Sequence, residues 1–189
     1  GVHALLVPIR QLDGSALPGV SIEDSGHKMG LNGVDNGRLW FDRVRVPETN
    51  LLDRFGGLDA QGEYHSTIPS ATRRFFTMLG TLVGGRMGIA CASVSAAKVA
   101  LATAVRYGDR RRQFGPDDGP EVLLLDYPSH QRRLMPLLAA TYALDFACKY
   151  AVERFCARTE EDAQEVEALA AGIKAAASWH ACRTIQTCR

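Results

Sequence analysis

An α+β fold, mainly α, is what the sequence predicts: a short β segment followed by an incomplete antiparallel α-helical bundle. Three observations carry this. Residues 1–53 hold apolar runs and alternations set between clusters of turn residues. From residue 73 onward, apolar positions recur with a helical period over three long stretches. Gly115 with Pro116, and the acidic run Glu160, Glu161, Asp162, stand where helices are expected to stop and start.

In chain order, "GVHALLVPI" is a short apolar, strand-like run. "GHKMGLNGVDNG" carries four glycines besides Asn32, Asp35 and Asn36, which is turn chemistry, with the Asp35–Gly37 triplet as a hairpin turn. "GRLWFDRVRVP" alternates through Leu39, Phe41, Val44 and Val46, with one slip of register at Asp42-Arg43 that reads as a bulge. Pro47 closes it. Residues 54–72 form a polar connection, and Ser70 or Thr72 caps the first helix. That helix is expected from about residue 73 to near residue 112. Gly80, Gly84 and Gly88 recur every four residues, leaving a bare face open to a packed helix, another backbone or a ligand. The second helix is expected over about 129–158, with Leu134, Leu138, Thr141, Leu144, Cys148, Val152 and Phe155 as its stripe. The third runs from about residue 161 to the chain end. Three such helices ordinarily complete a four-helix bundle, so one helix is missing. A first residue that is not Met, and a final stretch without a helix-ending Gly or Pro, point to a piece cut from a longer protein.

The net charge of +1 argues against a nucleic-acid binder. Of the 22 basic residues only 4 are Lys, so positive sites are planar forks suited to phosphate and carboxylate. Five cysteines, an odd number without metal-ligand spacing, read as buried reduced thiols. No metal set, signal peptide or membrane-length apolar run stands out; the longest weakly polar stretch is interrupted by Arg86 and Lys98. The five histidines have no paired nucleophile, and His180 reads as a packing residue beside Trp179.

The stretch that demands a function is "YGDRRRQFGP". Arginines at a helix end meet the negative end of the macrodipole, for roughly 0.3–1 kcal/mol each. Three adjacent helical residues, however, span about 200° of circumference and do not all serve one carbonyl cluster. Arginine beside Gln113 and Phe114 is a sensible set for a nucleotide: fork to phosphate, ring to heterocycle, amide to a polar edge.

"KVALATAVRYGDRRRQFG" resembles the signature of the acyl-CoA dehydrogenase and oxidase flavoprotein superfamily, a long helix ending in Tyr, a spacer, Arg, two residues and Phe-Gly. "LPGVSIEDSGHKMGLNGVDNGRLWFDRVRVPETNLL" resembles the end of its middle, β-barrel-like domain, "RRFFTMLGTLVGGRMGIACASVSAAKVAL" its first bundle helix, and "WHACRTIQTCR" the helix before its Gly-Gly turn. "NGVDNGRLWFD" and "RRFFTMLGTLVGGR" are closer to the oxidases.

The resemblance implies that residues 1–53 end the middle β domain, 54–72 connect, and 73–189 are the first three helices of the C-terminal bundle. It implies an FAD-dependent acyl-CoA oxidase of fatty acid beta-oxidation, with an acyl-CoA dehydrogenase as the alternative. A non-catalytic helical module using the arginine run is the alternative of another class. It further implies that Arg111, Gln113 and Phe114 bind the FAD of a neighbouring subunit in a homodimer or tetramer, Arg111 on the pyrophosphate. Arg110 and Arg112 keep the helix-end role. Arg86 corresponds to an arginine near the acyl-CoA cleft and contacts either the CoA portion or a local carboxylate. The base is expected beyond Arg189; the alternative family position for it is Gly85, which has no carboxylate. The compartment is the cytoplasm if the protein is bacterial, the favoured reading, and the peroxisome if it is eukaryotic.

Overall fold

The computed structural model describes residues 3–189. The chain divides into two compact units, Gly1–Thr77 and Met78–Arg189.

In the first unit, β1 (Val20–Asp24) and β2 (Gly37–Phe41) pair antiparallel, from Val20 opposite Phe41 to Asp24 opposite Gly37. Asp42 N–H still donates to the Gly19 carbonyl at 2.8 Å, and then Arg43, at φ 50°, turns the backbone away. The expected bulge is therefore the end of the strand, and Val44 and Val46 lie beyond it. A second small sheet joins β3 (Gly57–Leu58) to β4 (Tyr64–His65). Among the described residues these are two separate two-stranded sheets rather than a closed barrel. The run expected as an opening strand begins outside the described residues. The rest of it makes only the isolated bridge of Leu5 to Leu51, because a strand forms only where a continuous partner lies beside it.

The β1–β2 connection is not a tight turn at Asp35–Gly37. Its turn bond runs from Val34 N–H to the Leu31 carbonyl, with Leu31 at φ 54°. The ammonium of Lys28 closes the loop, donating to the Leu31 and Val34 carbonyls and to Asn36 Oδ1.

Helical structure begins at α1 (Ala71–Leu79) and passes through a 3-10 turn at Gly80–Leu82 into α2 (Val83–Gly108). Then come α3 (Pro128–Cys156) and α4 (Ala163–Cys188). The buried positions of α2 are Val83, Met87, Ala90, Val94, Ala97 and Leu101, spaced by fours and threes, and then Gly108, one heptad on. On α4 they are Val166, Ala170, Ile173, Ala177, Ala181 and Thr184. This is the heptad spacing of a helix–helix seam. On α3 the seam is Leu134, Leu137, Thr141, Cys148 and Ala151. Leu137 and Ala151 thus take the places expected of Leu138 and Val152, a rotation of about 100° per residue. One core cluster joins Met87, Ala90, Val94, Cys148, Ala151, Ala170, Ile173 and Ala177. Ala90 on α2 and Ala170 and Ala177 on α4 leave little side-chain bulk between these two helices.

One polar contact crosses this core. Thr141 Oγ1 donates to the Leu137 carbonyl at 2.7 Å, which leaves it to accept from His180 Nε2 at 2.7 Å. Thr184 Oγ1 stands 3.2 Å from the same nitrogen. Burial, and then the charge of Arg183, hold the His180 imidazole below its ordinary pKa, which suits a neutral ring.

Of the cysteines only Cys148 is buried, and burial, helped by neighbouring Cys91, pushes its thiol up to about 11. Cys156 and Cys182 are exposed, contrary to the expectation of buried thiols, because each sits off its helix's seam. By length and composition the stretch Ala71–Gly108 suffices to cross a membrane, contrary to the reading of residues alone. Of its α2 part, Val83, Met87, Ala90 and Val94 are packed in the core cluster, while Ile89 and Val99 are exposed.

The glycine face of α2 is covered only in part. A Cβ on Gly84 would lie 3.4 Å from Phe155, whereas one on Gly88 would meet nothing within 4 Å. A spacing of four residues drifts about 40° per step around the helix, which carries Gly88 out of the seam. Gly84→Leu is expected to cost about 1–3 kcal/mol by overpacking, and Gly88→Leu far less. Denaturant midpoints of the two variants check the ranking.

Candidate functional site

The site is built where α2 ends. The helix stops at Gly108, four residues short of the expected Arg112. Arg110 and Arg111 N–H groups both close onto the Tyr107 carbonyl, at 3.0 and 2.8 Å, and wind the chain tightly out of the helix. Residues 111–114 then run antiparallel to 122–124. Leu124 N–H donates to the Arg111 carbonyl at 2.8 Å, Gln113 N–H to Val122 at 3.0 Å, and Val122 N–H to Phe114 at 2.7 Å. Arg112 and Leu123 form the bridge between them. The intervening loop turns through a Gly119 N–H to Pro116 carbonyl bond. Gly115 is obligatory: a Cβ there would lie 2.7 Å from the Pro120 carbonyl oxygen.

This frame sorts the three arginines. Arg112 donates from Nη1 to the Glu121 carbonyl at 2.9 Å and clamps the loop base. It does not serve the helix end, as expected, because α2 has already terminated. Arg110 and Arg111 are exposed, and neither guanidinium has a side-chain partner among the described residues. Gln113 is fixed through its backbone, its carbonyl accepting from the Tyr127 hydroxyl at 2.7 Å, so its amide is left for other work. Phe114 adopts φ 58°, a conformation costly for an aromatic residue, and remains 71% exposed. A strained, solvent-facing ring beside a free guanidinium and a free amide can take a flat, phosphate-bearing molecule.

Arg86 is not part of this cluster. It lies near the start of α2, and the 22 residues from Arg86 to Gly108 place it about 33 Å away along the helix. It is half-buried and has no ion pair among the described residues. The residues that sequence reasoning missed are Tyr127 and Arg112 as framing groups; the tyrosine was visible, but its bond to Gln113 depends on loop closure. His130 Nε2 is buried without a hydrogen-bond partner. No cluster of three His, Cys, Asp or Glu side chains suited to a metal occurs among the described residues.

Comparison with known proteins gives concordant results. A family model described as "Acyl-CoA oxidase, C-alpha1 domain" matches residues 79–189. The chain is 47% identical over 190 residues to acyl-coenzyme A oxidase 3, peroxisomal, of Arabidopsis thaliana, a match covering all of this chain and 28% of that protein. The crystal structure of acyl-CoA oxidase 3 from Yarrowia lipolytica superposes with a TM-score of 0.82 at 31% identity, covering 97% of this chain and 29% of that one. Acyl-CoA oxidase-1 of Caenorhabditis elegans, complexed with FAD and ATP, superposes with a TM-score of 0.82 at 33% identity, covering 98% of this chain and 27% of that one. The chain thus spans under a third of the length of these relatives.

Proposed function

The chain belongs to the acyl-CoA oxidase family, and from that premise we propose that it forms part of an FAD-dependent enzyme oxidising acyl-CoA to trans-2-enoyl-CoA. The α carbon gives up a proton and the β carbon a hydride, and both hydrogens end on oxygen as hydrogen peroxide, so the reaction balances. An FAD held by this chain would supply the two-electron chemistry that links the β-carbon hydride to oxygen.

The observation that carries the assignment is the exposed, strained Phe114 held beside an Arg111 with no side-chain partner among the described residues. Those residues fit the group. Arg111 would pair with the pyrophosphate through its fork, Phe114 would lie against a flat ring, and the Gln113 amide would meet a polar edge. Arg112 holds the loop that presents them. The FAD so held would be shared across a subunit interface of a homo-oligomer. Arg86 would contact the CoA portion of the substrate. A carboxylate base is required at the α carbon; Gly85 cannot supply it, and we place the base outside these 189 residues. In domain terms, residues 1–53 would close a middle β-barrel-like domain, 54–72 connect, and 73–189 open the C-terminal bundle. The Arabidopsis relative is peroxisomal by name, so we place the enzyme there; the cytoplasmic reading has no support among the relatives.

Electron disposal is the decisive test. Full-length enzyme mixed with acyl-CoA under air, without an electron carrier, should release peroxide in step with enoyl-CoA over many turnovers. A flavin that bleaches once and stays reduced until a carrier is added would make the enzyme a dehydrogenase.

A further inference from the structure

Between the first turns of α3 and the last turns of α4 lies a cleft of about 450 Å3. Buried Leu137 lies at its floor. Arg132 and Arg133 enter from α3, and Arg183, Gln186 and Thr187 from α4. Among the described residues, no carboxylate lines it.

Several other cationic groups of the bundle are paired. Lys98 and Lys149 share Asp145, at 2.5 and 2.9 Å, and Arg154 meets Asp162 and Glu165. None of Arg132, Arg133 and Arg183 has a side-chain hydrogen bond or ion pair among the described residues. The helix dipole offers the α3 pair nothing, since a helix start carries positive partial charge, and the first turn of α3 holds no acid to offset it. Three like charges around one concavity repel each other and raise the local potential, an arrangement that favours a bound anion. The field is felt nearby: Arg183 contributes to holding the His180 pKa down.

We propose that this cleft binds a phosphate-bearing anion. Guanidinium forks match phosphate oxygens bidentately, which a lysine cluster would not do. Convergence from two helices suits a compact anion rather than an extended acidic segment. The Thr187 hydroxyl hydrogen is committed to the Arg183 carbonyl at 2.8 Å, while the Gln186 amide has no partner among the described residues and supplies a neutral donor at the rim. The volume falls in the range of small-molecule sites, about 300–1,000 Å3.

The test uses full-length flavin-loaded enzyme in phosphate-free buffer, titrated calorimetrically with inorganic pyrophosphate. Saturable binding is expected, weakened at least tenfold in Arg133→Gln/Arg183→Gln, with Arg133→Lys/Arg183→Lys intermediate. Because these side chains are exposed, the variants should fold; circular dichroism checks this, and the single variants repeat the measurement if the double does not. No saturable binding to wild type, or equal affinity in the Gln variant, overturns the proposal. Competition identifies the source of the phosphate: displacement by ATP but not CoA assigns a free nucleotide, the reverse assigns the CoA phosphates. A Gln variant that instead loses its flavin assigns the phosphate to FAD itself.

Discussion

Alanine in place of Arg111 should lower the FAD affinity of the full-length enzyme about ten- to a hundredfold, because a charge-assisted pair worth roughly 1.5–3 kcal/mol is lost. Arg110→Ala should leave affinity nearly unchanged, although both residues are exposed and adjacent. The contrast tests the geometry, since a general basic patch would respond equally to either loss. Arg112→Ala should act by a third route. It removes the bond to the Glu121 carbonyl and loosens the 115–121 loop, so proteolysis of that loop should accelerate. Flavin retention after gel filtration, measured by absorbance, reads the first two variants. Equal losses from Arg110→Ala and Arg111→Ala would refute the assignment.

Ala177→Leu should be the most damaging single change in the helical unit. Ala177 is fully buried in the cluster with Ala90 and Ala170, and a leucine there must push α2 and α4 apart. Overpacking of this kind costs about 1–3 kcal/mol, and more where both facing helices are already in contact through alanines. Ala176→Leu, one position round on the exposed face, should change stability by less than about 0.5 kcal/mol. Denaturant midpoints of the two variants should therefore separate clearly. Coincident midpoints would show that the seam yields.

The helices were legible because their signal is local. A heptad of Val, Met, Ala and Leu on α2 announces its period within the helix itself, and both ends of α3 and α4 fall within a few residues of expectation. What sequence could not show was the 3-10 turn at Gly80–Leu82 or the halt at Gly108, which depends on the chain folding back from Leu123 to Arg112. The β segment was less legible for the same reason. Strand identity depends on a partner distant in sequence, so "HALLVPI" looks like a strand and makes only a bridge, while Val20–Asp24 pairs fully. At the candidate site, residue types drew attention to the arginine run with Gln113 and Phe114, and the family resemblance singled out Arg111. The clamp by Arg112 was not legible, because its partner is a backbone carbonyl nine residues away.

The contact of His180 with Thr141 and Thr184 has a consequence for alignment. A heptad seam still brings apolar residues opposite one another after a slip of one heptad, roughly 10.5 Å along the axis. Apolar packing alone therefore indexes α3 against α4 weakly. The imidazole breaks that degeneracy. Slipped one heptad along α3, it would face Leu134 or Cys148 in place of Thr141, and its ring N–H would be buried opposite an apolar or poorly accepting side chain. One histidine thus acts as a detent that selects a single axial setting, and with it the separation of Arg133 from Arg183 across the cleft.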